Sequence, residues 1–179
     1  MATDAQSERL YRAMLARAER VDDPSYRASF LRFASLLSES VYPEQPEIAL
    51  NHIGAALDCK PNDIQSLHIG YRLCASSGQS RRSADWAVRI ANACIVDRHA
   101  SEYLGFAGHH TVRQTPERAF DLWHEALQRN PHNIAARLGL ESLLANRPMS
   151  LESQAYYNLQ SDHAPSAPQR LHYALMSQY

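Results

Sequence analysis

Apolar residues recur every three to four positions along most of the chain, and no alternating run of β-branched residues is long enough to predict a strand. The pattern predicts an all-α fold. Breaks fall at Val21–Pro24, Tyr42–Pro46, Lys60–Asp63, Ser76–Ser80, Val96–His99, Thr111–Pro116, Arg129–His132, Asn146–Pro148 and Ser161–Pro165, and they delimit about ten helices. Asp23-Pro24 and Thr115-Pro116 each put a capping oxygen before a proline at the first helical position, where the missing N–H costs nothing. Ser80 and Ser150 can cap in the same way. A first helix over residues 5–20 carries Leu10, Met14, Ala18 and Val21 on one face.

Internal repetition organises the middle of the chain, with a period of 35 residues. Ala49, Ala84 and Ala119 are one period apart, as are Ile53, Val88 and Trp123, then Ala56, Ala91 and Ala126, then Pro61, Val96 and Pro131. A second set belongs to the other helix of each unit. Ile69-Gly70, Leu104-Gly105 and Leu138-Gly139 recur at 35 and 34 residues, beside an apolar column of Leu36, Tyr71, Phe106 and Leu140. A small-large-small stripe lets a paired helix approach closely, and a proline after the last turn ends the helix. One such pair cannot bury its own apolar face, whereas stacked pairs can.

These columns resemble the tetratricopeptide repeat (TPR) family. Its pattern has a Leu-Gly pair and an aromatic in the first helix, then Ala, a large residue four later, Ala three after that and Pro five further on. Ala119, Trp123, Ala126 and Pro131 match it, as do Ala49, Ile53, Ala56 and Pro61, while Ala84, Val88, Ala91 and Val96 lack the proline. The resemblance implies a right-handed solenoid of antiparallel helix pairs, about three repeats over residues 24–146, with a capping helix at 1–22 and further helices at 150–179. The last of these, Pro168–Tyr179, carries Leu171, Tyr173, Leu175, Met176 and Tyr179, and either caps the array, pairs with another copy or begins a further repeat.

Composition narrows the function. Basic and acidic residues number 18 and 19 and are interspersed, so the chain carries no electrostatic footprint for nucleic acid or an anionic membrane. No apolar run reaches membrane-spanning length, and the start has neither the basic cap nor the apolar core of a signal peptide. The expected location is the cytoplasm. Cys59, Cys74 and Cys94 lack a C-x-x-C spacing and read as free thiols in a reducing compartment. Seventeen of the 18 basic residues are arginine, with Lys60 the sole lysine, a skew that fits GC-rich bacterial coding.

Catalytic signatures are absent from the sequence: there is no G-x-S-x-G, no H-E-x-x-H and no phosphate-binding glycine loop. The nine histidines include no pair three or four apart, so no metal or other cofactor is expected. Glu117, Asp121 and His124 share a helix face, as a general acid-base cluster or as a solvated polar face. The expected function is non-enzymatic: an adaptor or chaperone that holds a peptide or helix of a protein partner in the concave groove. Further options are a TPR chaperone of type III secretion, which the stretch Cys94–Asp97 and Tyr103–Gly108 resembles, the N-terminal TPR region of a bacterial sulfotransferase or glycosyltransferase, and a self-associating scaffold or homodimer.

Two registers remain open for the groove. If Gly70 sets it, Leu67, Tyr71, Phe106, His109 and Leu140 line it, with Tyr103 beside them; if the prolines set it, Gln65, His68, Arg72, Ser101 and Ser142 do.

Overall fold

The structure, a computed structural model, describes residues 2–145, 151–164 and 166–177. Among these residues there are ten helices and no strand. They are α1 (Ala2–Arg20), α2 (Pro24–Val41), α3 (Pro46–Cys59), α4 (Ile64–Ser76), α5 (Ser80–Ala93), α6 (Asp97–Thr111), α7 (Pro116–Arg129), α8 (Ile134–Leu144), α9 (Leu151–His163) and α10 (Ala167–Met176). No helix among the described residues is long and apolar enough to cross a membrane. The predicted Ser150 cap, the Asn146–Pro148 break and Tyr179 lie outside the described residues. The chain divides into two compact units, Met1–Ile90 and Ala91–Tyr179.

In the first unit, chain-local signals start and stop the helices. Asp23 caps α2 by accepting the amides of Ser25 and Tyr26 at 2.7 and 3.3 Å, and Asp63 caps α4 by accepting that of Ser66 at 3.1 Å. Helix α4 ends in a Schellman turn: Gly78, at φ 71°, lets its own amide reach the Ala75 carbonyl and that of Gln79 reach Cys74. Helix α5 begins at Ser80 itself, so the cap position falls on Gln79 rather than on Ser80.

Packing in this unit follows the small-large-small stripe. Ala49, Ile53 and Ala56 of α3 are buried with Leu50 and Leu57, and Ala84, Ala87 and Ile90 of α5 are buried as well. Val88 is only half-buried. The bulk lies two residues earlier, at Trp86, whose ring covers Gly70 so closely that a Cβ there would lie 2.7 Å from it. In α1 the buried residues are Tyr11 and Ala18, whereas Leu10, expected inside, is exposed. That rotation lets the Tyr11 hydroxyl meet His52 Nε2 of α3 at 2.8 Å, with the Tyr11 ring edge-on to Tyr42.

The second unit is built around Trp123. The indole, 4% exposed, donates from Nε1 to the Gly105 carbonyl of α6 at 3.1 Å. A Cβ at Gly139 of α8 would come within 2.5 Å of its Cε2, and one at Gly108 would overlap Nε1. Glycine is needed at both positions because a tryptophan occupies the space a side chain would take. Ala119, Ala126 and Leu127 complete the buried face of α7, and Ala91 is fully buried. Pro116 opens α7, while Thr115, expected as its cap, makes no side-chain capping bond. Asn133 caps α8, accepting from the Ala136 amide at 3.0 Å while its Nδ2 donates to the Ser101 carbonyl at 2.9 Å. Helices α9 and α10 join α8 through Glu141, which accepts from the buried Tyr156 at 3.1 Å and from Tyr173 at 3.2 Å.

The two helix sets keep different periods. Four residues, 60–63, connect α3 to α4 and four, 130–133, connect α7 to α8, but only three, 94–96, connect α5 to α6. Helix α6 therefore arrives one residue early. The buried positions Ser66, Leu67, Gly70, Leu73 and Cys74 of α4 correspond to Ala100, Ser101, Leu104, Ala107 and Gly108 of α6, each 34 residues on. Ala136, Leu140 and Leu144 of α8 follow Ala100, Leu104 and Gly108 at 36. Gly70, Leu104 and Leu140 are thus equivalent, in place of the predicted alignment of Gly70, Gly105 and Gly139.

Candidate partner-binding groove

Each unit places its predicted groove residues differently, and neither sequence register survives whole. In the first unit Gln65 and Arg72 are exposed and His68 is half-buried on α4, whereas Leu67 is 1% exposed and belongs to the core. Tyr71 is half-buried beside them. Arg72 grips Glu39 of α2 with two hydrogen bonds of 2.8 and 2.5 Å, and those bonds, against the opposing cost of burial, hold its guanidinium above the usual arginine range.

In the second unit the exposed candidates come from the Leu-Gly register on α6 and from the proline register on α8. Phe106 is 45% exposed and His109 is exposed, while Ser101, the proline-register candidate, is buried and donates to the Ala126 carbonyl at 2.7 Å. Leu140, fully buried, is a core residue and lines no groove, and Ser142 is exposed instead. The half-buried Tyr103 braces Phe106 edge-on, their rings 5.9 Å apart. The short connection before α6 causes the split, because it turns α6 by one residue relative to the sequence columns.

These positions frame a groove of about 650 Å³ between α6 and α8. Phe106, His109 and Val112 form the α6 wall, and Ala135, Leu138, Ser142 and Leu143 form the α8 wall. Gly105, Gly139 and the Trp123 indole make the floor. Leu138, at 57% exposure, is more exposed than Phe106, at 45%. No Asp, Glu, Lys or Arg lines the groove. Sequence reasoning missed Leu138 as a wall residue by reading it as half of a Leu-Gly pair. The signal that places it is the helix cap, since Asn133 follows Pro131 by two residues as Asp63 follows Pro61.

Two other clusters have a different character. A polar hollow of about 390 Å³ in the first unit holds Arg32, Lys60 and Asp63, but its charges pair internally, at 2.6 Å for Arg32 with Asp63 and 3.6 Å for Lys60 with Asp63. Burial alone would raise the Asp63 carboxyl, yet hydrogen bonds from the Ser66 hydroxyl and amide and from Arg32 outweigh it and hold the group below the ordinary carboxylate range. On α7, the His124 ring stacks on Phe120, their centroids 6.1 Å apart. Among the described residues, no three His, Cys, Asp or Glu side chains converge on a metal-binding geometry.

No protein-family model, curated protein or solved structure matches the chain.

Proposed function

We propose that this protein is a non-enzymatic interaction module of TPR-like architecture that holds a segment of a protein partner in the groove between α6 and α8. The observation that carries this reading is the groove itself: a hollow of about 650 Å³ with no Asp, Glu, Lys or Arg in its lining, walled by the exposed Phe106 and Leu138 beside the Trp123 indole. Concave, mostly apolar surfaces with a few polar groups are the usual form of a binding site. The 35-residue columns and the small-large-small helices support the family resemblance. A photo-crosslinking residue at the exposed Ser142, introduced in the cells that make the protein, tests the reading. We expect a discrete protein adduct that disappears with Leu138→Glu. An adduct pattern identical to that from the same residue at Asp121, on the exposed side of α7, overturns it.

A second reading, self-association, rests on α10, which buries no residue and exposes Leu171, Leu175 and Met176. Light scattering of the full chain beside Leu171→Glu/Leu175→Glu checks it, with a dimer that becomes a monomer as the expected result.

A further inference from the structure

We infer that the segment received by the α6–α8 groove is an amphipathic α-helix with an uncharged apolar face, and not an extended strand. This inference rests on the groove being a partner site, as proposed above, and adds the chemistry of what fits.

Polarity decides between the two forms. An extended segment brings an unpaired backbone N–H and C=O at every residue, and burying them without partners is penalised each time. Strand-type recognition therefore needs a sheet edge or a row of polar side chains along the groove. Here the walls are helices, which use their own backbone groups internally, and the lining side chains with polar atoms are His109, Ser142 and Trp123. The Trp123 Nε1 is already committed to the Gly105 carbonyl. Two side chains cannot satisfy a strand. A helix satisfies its own backbone and presents only side chains, so the groove asks nothing of it except apolar bulk.

Charge and shape specify that bulk. With no Asp, Glu, Lys or Arg in the lining, a charge on the buried face of the occupant away from His109 would be desolvated without a partner. The hollow of about 650 Å³, bordered by Phe106, Leu138 and the Trp123 indole, suits large aliphatic or aromatic anchors at positions i, i+3 or i+4, and i+7. Polar and charged residues belong on the helix face turned to water.

Two displayed peptide libraries test this against the full chain. One is a helix-favouring Ala/Glu/Lys scaffold randomised among apolar residues at i, i+3, i+4 and i+7; the other is a randomised library with prolines that forbid a helix. We expect binders from the helical library, weakened about tenfold or more by Leu138→Glu and by proline at the centre of the peptide. Leu138 is exposed, so the variant keeps its fold, which circular dichroism verifies; Ser142→Glu on the exposed rim is the second variant. Binders from the proline library alone, sensitive to Leu138→Glu, overturn the helix inference while preserving the groove as a partner site. Binders from neither library, or binders indifferent to both variants, overturn the groove reading and this inference together.

Discussion

The joints of the two units solve the same problem with opposite chemistry. In the first, Asp63 caps α4 and reaches back to Arg32 of α2, and Arg72 reaches back to Glu39, so consecutive turns are tied by ions. In the second, Asn133 caps α8 and reaches back to Ser101 of α6, and Trp123 donates to Gly105, so the ties from α7 and α8 to α6 are neutral hydrogen bonds over a close-packed ring. A repeat needs a capping oxygen and a link to the preceding helix, and either a carboxylate or an amide supplies both. The choice sets how these joints respond to acid and salt, and the hollow between α6 and α8 is lined by no Asp, Glu, Lys or Arg.

The largest test of this contrast removes the neutral ring. Trp123→Ala should destabilise the second unit by roughly 3–5 kcal/mol, because it leaves a cavity between α6, α7 and α8 and removes the hydrogen bond to the Gly105 carbonyl. Denaturant unfolding measures it, and a loss below about 1 kcal/mol would place the ring outside the core.

Exchanging the two caps comes next. Asp63→Asn keeps the cap but leaves Arg32, whose side chain is 16% exposed, without its anion, at a cost of about 2 kcal/mol near neutral pH. Because the native carboxyl sits below its unfolded value near 4, its stabilisation is complete above that value and is lost as pH falls through the native one. Asp63→Asn should abolish that acid dependence. Asn133→Asp should do the reverse. It turns a carboxylate toward the Ser101 carbonyl, costs about 2–3 kcal/mol at pH 7, and raises the new group's native pKa. The variant should regain stability as pH falls toward about 4, opposite in sign to the natural Asp63. Thermal unfolding from pH 3 to 8 checks both exchanges, and parallel profiles would erase the contrast.

Glycines give the next effect. Gly108→Ala drives a methyl into the indole and should cost roughly 1–3 kcal/mol, whereas Gly54→Ala in α3 meets nothing within 4 Å and should stabilise by about 0.5–1 kcal/mol. Calorimetry of the pair separates packing from helix propensity.

Smallest is a histidine effect in the first unit. Burial holds the His52 imidazole below its ordinary range, so stability should decline modestly as pH falls below about 6.5, and His52→Gln should flatten that slope. An unchanged slope would show that His52 does not report the docking of α1.

Much of this architecture was legible in the sequence, and the gaps have physical causes. The alanine columns at 49, 84 and 119 and at 56, 91 and 126 are visible because close helix contact tolerates little else, and all six residues are buried. Trp86 escaped because Val88 occupied the column where bulk was expected, while Gly70, the residue that makes room for the ring, lies on another helix. The groove register escaped because it depends on connection length. Three residues before α6 against four before α4 and α8 shift one helix without disturbing the columns of the others. Glycine columns track where a ring must fit, and caps track where a helix starts; only the second gives the register.

The indole floor also has an optical consequence. The chain contains two tryptophans, and Trp123 alone borders the groove between α6 and α8. With Trp86 replaced by phenylalanine, the remaining emission would come from a ring that is shielded on its core side and open toward the hollow. Filling that hollow would change the colour and quenching of the protein's own fluorescence, giving an intrinsic lamp for occupancy that needs no attached dye.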